Sequence, residues 1–407
     1  MLDWIAITEW LQFAVRWLHV VTAIAWIGSS FYFIALDLGL HRDRNLTTGA
    51  DGEEWQVHGG GFYHIQKYLV APANMPDGLV WFKWESYSTW LSGFALLAVV
   101  YYMGAEFYLV DPAVMDLTPW QAIAISVASL AFGWIVYNTL CKLFVNANQT
   151  GLMIALFVVL VGMSYFYTSV FSGRAALLHL GAFTATIMSA NVFFIIIPNQ
   201  KIVVDDLING RKPDPQYGKI AKQRSTHNNY LTLPVIFMML SNHYPLAFAT
   251  EYNWIIAALV FLMGVTIRHF FNSMHARKGM PWWTWAATAA LFIAVMALSL
   301  APMWQAEEPE EARGAELRFA QAEGFEDAYD IVMGRCSMCH AAEPGWDGLR
   351  HAPKGIRLET ESQIARHARE IYLQAGISHA MPPANLSFIE PEERAKIVAW
   401  YRNAIKS

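Results

Sequence analysis

The stretch Gly151–Phe171, GLMIALFVVLVGMSYFYTSVF, runs for 21 residues without one charged side chain. A bilayer's hydrocarbon core, about 30 Å thick, asks for about 20 such residues in a helix. Reading outward on that scale gives Leu11–Leu36, Tyr87–Tyr108 and Trp120–Leu140 before it. Arg174–Ile197, Tyr230–Phe248, Tyr252–Ser273 and Trp282–Met303 follow it. The sixth in chain order, Tyr230–Phe248, is interrupted by Pro234 and by Ser241–Asn242–His243. In hydrocarbon a segment must pair its own backbone polar groups, so spans of this length are helices. The expected fold class is all-α, with a polytopic transmembrane bundle of eight helices over residues 1–304.

Composition points the same way. Hydrophobic residues make up 55% of the chain and charged ones 15%, too apolar for an ordinary soluble domain. The 17 Trp and 17 Tyr suit belts at a membrane interface, where one end of the ring is apolar and the other wet. From Trp304 onward there are 17 acidic residues against 12 basic ones, while the preceding part balances. Nothing is basic enough to suggest a nucleic-acid partner. Three cysteines are too few for a disulfide framework, and Cys141, alone at a helix end, reads as a small packing residue. Met1–Glu9 is acidic rather than basic, which argues for a first span kept as a membrane anchor.

The basic residues fall on one side. With both termini together, alternate loops hold Arg42, Arg44, Lys67 and Lys83; then Lys142; then Lys201, Arg211, Lys212, Lys219, Lys222 and Arg224; then Arg277 and Lys278. The opposite loops carry only Arg174, which begins a helix. The positive-inside rule then predicts a multi-pass protein of a bacterial inner membrane with both termini in the periplasm. Seven or nine helices would scramble that asymmetry. Two loops on the basic side, Asp37–Ser86 and Pro198–Asn229, are longer than connection requires. Gly59–Gly60–Gly61–Phe62–Tyr63 argues for order in the first.

After the last span, Glu307, Glu308, Glu310 and Glu311 surround Pro309 in an acidic linker, residues 305–323, and a second domain is expected over 324–407. It carries Cys336–Ser337–Met338–Cys339–His340. Two thiols at this spacing can add to the two vinyl groups of a haem, and the adjacent His340 then lies under the iron. Glu326–Arg335 reads as a helix leading into the motif and Pro391–Ala404 as an amphipathic closing helix. Between them, His379–Ala380–Met381–Pro382–Pro383 resembles the class I cytochromes c, in which a Met before prolines is the sixth ligand. One covalent haem c is expected, held by Cys336 and Cys339, with His340 and Met381 as metal ligands. A thioether ligand raises the potential and leaves no open position, so this domain should carry electrons and do no further chemistry.

The chemistry must then reside in the first 300 residues, which hold no metal triad, nucleophile elbow or phosphate loop. Gly59–Gly60–Gly61 lacks the strand–turn–helix context of a dinucleotide fingerprint. The distinctive run is Gly59–Gly60–Gly61–Phe62–Tyr63–His64, then Ala71–Pro72–Ala73–Asn74–Met75–Pro76, then Trp81–Phe82–Lys83–Trp84–Glu85, leading into Thr89–Trp90–Leu91–Ser92–Gly93. This resembles the bacterial membrane-bound urate oxidases (urate hydroxylases), in which a urate-oxidising membrane domain is fused to a cytochrome c. The likeness also takes in Arg16–Trp17–Leu18–His19 and the terminal haem domain. It implies oxidation of urate with water to 5-hydroxyisourate. Electrons would pass to the fused haem c, then to a soluble or membrane cytochrome c and a terminal oxidase, without hydrogen peroxide.

A site for a planar anion needs a cation, amide-type partners, an aromatic wall and a base. Lys83, Trp84 and Glu85, at the mouth of the second span, supply three of these types; a snorkelling Lys, a belt Trp and a solvated Glu explain them equally well. His19, on a face with Gln12, Arg16, Ala23, Trp26 and Ser30, and His179 are further catalytic candidates. The Trp17–Leu18–His19–Val20 context also resembles small membrane proteins that bind haem b, which would supply a second redox centre with His179 as partner. The plain alternative is a set of unrelated buried histidines. Two other functions remain open: a membrane electron-transfer subunit serving quinol or an oxidase, with no urate chemistry of its own, and a metabolite transporter with an accessory haem domain.

Overall fold

The computed structural model describes residues 4–43, 45–70, 72, 76, 78–144, 149–301, 314–346, 349 and 352–406. The acidic run Glu307–Glu311 and Ala71, Ala73, Asn74 and Met75 of the distinctive stretch lie outside the described residues. The protein is mostly helical. Its long helices up to residue 300 include α1 (Trp4–Gly39), α2 (Trp84–Leu97), α3 (Pro119–Leu143), α4 (Gln149–Thr168), α5 (Gly173–Ala190), α6 (Pro215–Ser241), α7 (Asn253–His275) and α8 (Trp283–Leu300); for its apolar helices this part is termed the membrane part. Among the described residues six helices are long and apolar enough to cross a membrane: α1, α3, α4, α5 with its continuation to Ile208, α7 and α8. The other two expected spans coincide with helices that fall short of this. α2 has 14 residues before a π-helical segment at Ala98–Tyr102, and the first half of α6, from Pro215 to Tyr230, is polar.

Local chemistry sets these boundaries. Thr118 and Gln121 form a reciprocal capping box at the start of α3, with Pro119 in the first turn. Ser172 caps α5 by accepting from the Ala175 N–H at 3.3 Å. Pro234 lies inside α6, and Gly264 of α7 leaves room for its ring. A Cβ at Gly264 would stand 2.4 Å from the proline ring. α6 packs on α5 and α7, α1 on α2, and α3 and α4 on α5. The core is built of Leu177, Leu180, Phe183, Tyr167 and Phe171, with Ile256 and Ala257 from α7. The opposite face of α1 is bare: Trp10, Phe13, Trp17, Val21 and Ile24 are all exposed, as a lipid-facing stripe would be.

The expectation of an all-α protein is corrected by an antiparallel hairpin between α1 and α2, β1 (Ala50–His58) and β2 (Gly61–Tyr68). Gly59 and Gly60 join its strands with φ of 60° and 80°. A two-residue turn with both φ positive matches the right-handed twist of the flanking strands, and glycine takes that conformation without a Cβ penalty.

The two ends of the bundle differ. At one end Asp37 pairs with Lys67 and, at 2.8 Å, with Lys222, while Arg277 reaches His41 and the Gly39 carbonyl at 2.8 Å. At the other end sits the C-terminal domain. Arg369 pairs with Glu9 and donates to the Tyr108 hydroxyl at 2.7 Å; Arg318 meets Glu106 at 3.2 Å. Its core joins Phe319 of α9 (Ala315–Ala320) and Phe325 of α10 (Phe325–Arg335) to Ile397, Trp400 and Tyr401 of α11 (Pro391–Ala404). The Trp400 indole N–H donates to the Phe319 carbonyl at 2.9 Å, so the ordered domain includes α9, ahead of Gly324.

Candidate functional site

In the C-terminal domain, α10 ends at Arg335 and the motif follows as a single turn, Ser337–His340. Cys336 and Cys339 are free thiols. Burial, followed by the neighbouring Cys339, pushes the Cys336 thiol up to about 11, so it is protonated at neutral pH. His340 donates from Nδ1 to the Ile356 carbonyl at 2.8 Å, which leaves Nε2 as the nitrogen available to a metal. The Met381 loop is held from behind. Arg394 donates to the Met381 carbonyl at 2.9 Å, and the Met381 N–H donates to the Gln374 carbonyl at 2.9 Å. Two unoxidised thiols, an imidazole with a fixed tautomer and a pinned thioether loop are a donor set that fits covalent haem attachment.

In the membrane part, the distinctive Thr89–Gly93 stretch meets His19. The ring's Nδ1 lies 3.1 Å from the Thr89 carbonyl and 3.2 Å from the Ser92 hydroxyl, and the ring lies against Gly93, Cε1 nearest. A carbonyl only accepts, so Nδ1 carries the proton and Nε2 keeps its lone pair. The Thr22 hydroxyl, 3.2 Å from Ser92 Oγ, closes the cradle. His19 is thus a pinned imidazole with one basic nitrogen.

His179 is placed differently. It is fully buried, donates from Nδ1 to the Ala175 carbonyl at 2.8 Å, and accepts at Nε2 from the Ser126 hydroxyl at 2.8 Å. Tyr101, Tyr167 and Phe171 surround the ring. Both nitrogens are spent on protein groups, so the pair expected from the sequence, His19 with His179 as ligands of a haem b, does not fit. Lys83 and Glu85 lie at the other end of α2. The Lys83 ammonium stands 5.9 Å from the centroid of the Trp84 ring, and Glu85 Oε2 is buried without a hydrogen-bond partner. His64 is engaged with Glu53 at 2.8 Å and stacked on Trp55.

Two polar clusters escaped the sequence reading. Towards the basic-loop end, Arg224 bonds Asn191 and Asn138 at 3.2 and 2.9 Å, and Arg268 bonds Asn229 and Asn272 at 3.2 and 3.0 Å. These buried guanidinium groups tie α6 to α3, α5 and α7. Near the C-terminal domain, Arg174 and Asn242 lie within reach of the Tyr101 hydroxyl, and the Arg16 charge acts on it. Tyr101 OH, Arg174 Nε and Asn242 Oδ1 are all buried without a hydrogen-bond partner. Arg174 also lies over the Tyr108 ring, 4.8 Å from its centroid. The advance signals were Arg174, the sole basic exception on its side of the predicted topology, Arg16 on the His19 face, and the Ser241–Asn242–His243 interruption.

A family model described as "Urate oxidase N-terminal" matches residues 5–299, nearly the whole membrane part. No curated protein and no solved structure matches the chain.

Proposed function

Since the chain belongs to the urate oxidase N-terminal family, we propose that it oxidises urate with water and passes the electrons to a haem c in its own C-terminal domain. The balance is urate monoanion plus water giving 5-hydroxyisourate, one proton and two electrons. Water supplies the new oxygen, and no hydrogen peroxide is made. A haem c held by Cys336, Cys339, His340 and Met381 would supply a one-electron acceptor of raised potential, used twice per urate. From there electrons would leave to a soluble or membrane cytochrome c and a terminal oxidase.

The observation that carries this reading is the family match over the membrane part, joined to a haem-fitting domain that rests on one end of the same bundle. His19 is the proposed base. Its Nδ1–H is fixed by Thr89, so Nε2 is free to take the proton released from water. In the proposed topology the end bearing the C-terminal domain faces the periplasm of a bacterial inner membrane, and the basic loops around Asp37 face the cytoplasm.

The test uses membranes containing the full chain, with urate and oxidised cytochrome c. Urate-driven cytochrome reduction without peroxide is expected. Reduction driven by quinol alone would overturn the urate reading in favour of an electron-transfer subunit.

A further inference from the structure

We propose that Arg16, Tyr101, Arg174 and Asn242 form the binding site for a planar organic anion, which on the function proposed above is urate. The four residues come from α1, the π segment after α2, the first turn of α5 and the residue closing α6. Arg174 and Asn242 approach the Tyr101 hydroxyl, and the Arg16 charge acts on it from α1. Tyr101 is 2% exposed, and although Arg174 and Asn242 lie within reach of its hydroxyl, neither makes a well-aligned hydrogen bond to it. Such a group is costly to bury and cheap to satisfy with a ligand.

Charge points the same way. Neither Arg16 nor Arg174 forms an ion pair among the described residues. The nearby Glu9 is taken by Arg369. Two half-buried guanidinium groups without an ion pair are stabilised when an anion joins them. Arg224 and Arg268 each make two hydrogen bonds to neighbouring amides, though Arg224 Nε is likewise unpaired; the Arg174 guanidinium makes none among the described residues. A guanidinium offers a planar fork to a urate anion, the Asn242 amide can both donate and accept, and the Tyr101 hydroxyl can donate. The rings of Tyr101 and Tyr108, edge to face at 6.3 Å between centroids, wall one side.

The location suits electron delivery. His243, next to Asn242, lies within the electrostatic reach of Arg16, Arg174 and Lys354, the last from the C-terminal domain. Lys354 lies on the turn Pro353–Gly355, which packs against Pro245–Phe248 of the membrane part. Two residues further on, the Ile356 carbonyl anchors His340. The proposed site therefore borders the segment that orients the proximal ligand. Lys83 and Glu85 start the same helix some 16–18 residues earlier, about 25 Å away at 1.5 Å per residue. His19 lies one turn beyond Arg16 on α1, so the proposed base and the proposed anion site share a helix face.

The experiment measures equilibrium binding of radiolabelled urate, and KM and kcat for urate-driven cytochrome reduction, in the full-length protein. It compares wild type with Arg174→Gln and the near-isosteric Tyr101→Phe, both checked for an unchanged dithionite-reduced haem spectrum. Removing a charge-assisted contact should raise Kd and KM on the order of tenfold for Arg174→Gln, with kcat changed far less. Tyr101→Phe should raise them by several-fold. An active wild type with Kd and KM unchanged in both variants would overturn this site and leave the urate function standing. The site is equally overturned if Lys83→Gln raises KM and Arg174→Gln does not. A wild type that neither binds nor oxidises urate overturns the function and the site together.

Discussion

Gly93→Ala tests whether the α1–α2 contact is built around the His19 ring. An ideal Cβ at this position stands 2.8 Å from His19 Cε1, 3.2 Å from Nδ1 and 3.5 Å from Nε2. To restore ordinary contact the ring must withdraw by roughly 0.6 Å, and overpacking of this kind costs ~1–3 kcal/mol. The withdrawal also lengthens the bonds from Nδ1 to Thr89 and Ser92, now 3.1 and 3.2 Å, beyond useful range. Losing them adds ~1 kcal/mol. Against this, alanine is worth ~1 kcal/mol over glycine inside a helix. The expected net cost in the wild-type background is ~1–3 kcal/mol. In a His19→Ala background there is no ring to strike, so the same substitution should be neutral or stabilising by up to ~1 kcal/mol. The double-mutant cycle, measured by denaturation in mixed micelles, should give a coupling of ~1–4 kcal/mol, with the cost present only when the ring is. Equal destabilisation by Gly93→Ala with and without the His19 ring would refute the cradle.

Other expectations are quickly checked. Met381→Ala should keep covalent haem but lower its reduction potential, whereas Cys336→Ser with Cys339→Ser should abolish bound haem; a potentiometric titration and a haem stain separate the two. A periplasm-active reporter fused after Ser407 should be active and one inserted near Asn209 should not; the reverse result would overturn the proposed orientation. Glu393 is partly desolvated, but its bonds to Arg335 and to the Glu390 N–H hold its carboxyl below the ordinary value of 4.5. Its contribution to the C-terminal domain is therefore complete above that value and is lost as pH falls through the lower, folded one. Acid unfolding of Glu393→Gln should lack that component.

What was legible in the sequence was local. Span length and hydropathy are read within one segment, so α3, α4, α5, α7 and α8 fall where expected, and α1 only lengthens at both ends. Cys336–His340 and Met381 stand out because each motif is contiguous. The hairpin was harder. Its Gly59–Gly60 turn is a fair signal, but Glu53, Glu54 and Gln56 dilute the alternation that marks a strand. The sites are harder still, because they assemble from distant segments. His19 and Thr89–Gly93 each stand out alone, yet their contact joins positions 70 residues apart. His179 reads as a ligand from its depth, and only its bonds to Ala175 and Ser126 show it to be satisfied. Arg16, Tyr101, Arg174 and Asn242 share no periodicity. They become a group only when α1, α2, α5 and α6 are brought together.

The most direct test of the central claim is an anaerobic titration of the purified, oxidised full-length protein with urate, followed at the absorbance of reduced haem c. Full reduction without oxygen is expected at one urate per two haems, with 5-hydroxyisourate as product and no peroxide on readmission of air. A haem that stays oxidised under excess urate, or that needs oxygen before urate is consumed, would contradict urate oxidation through the fused haem.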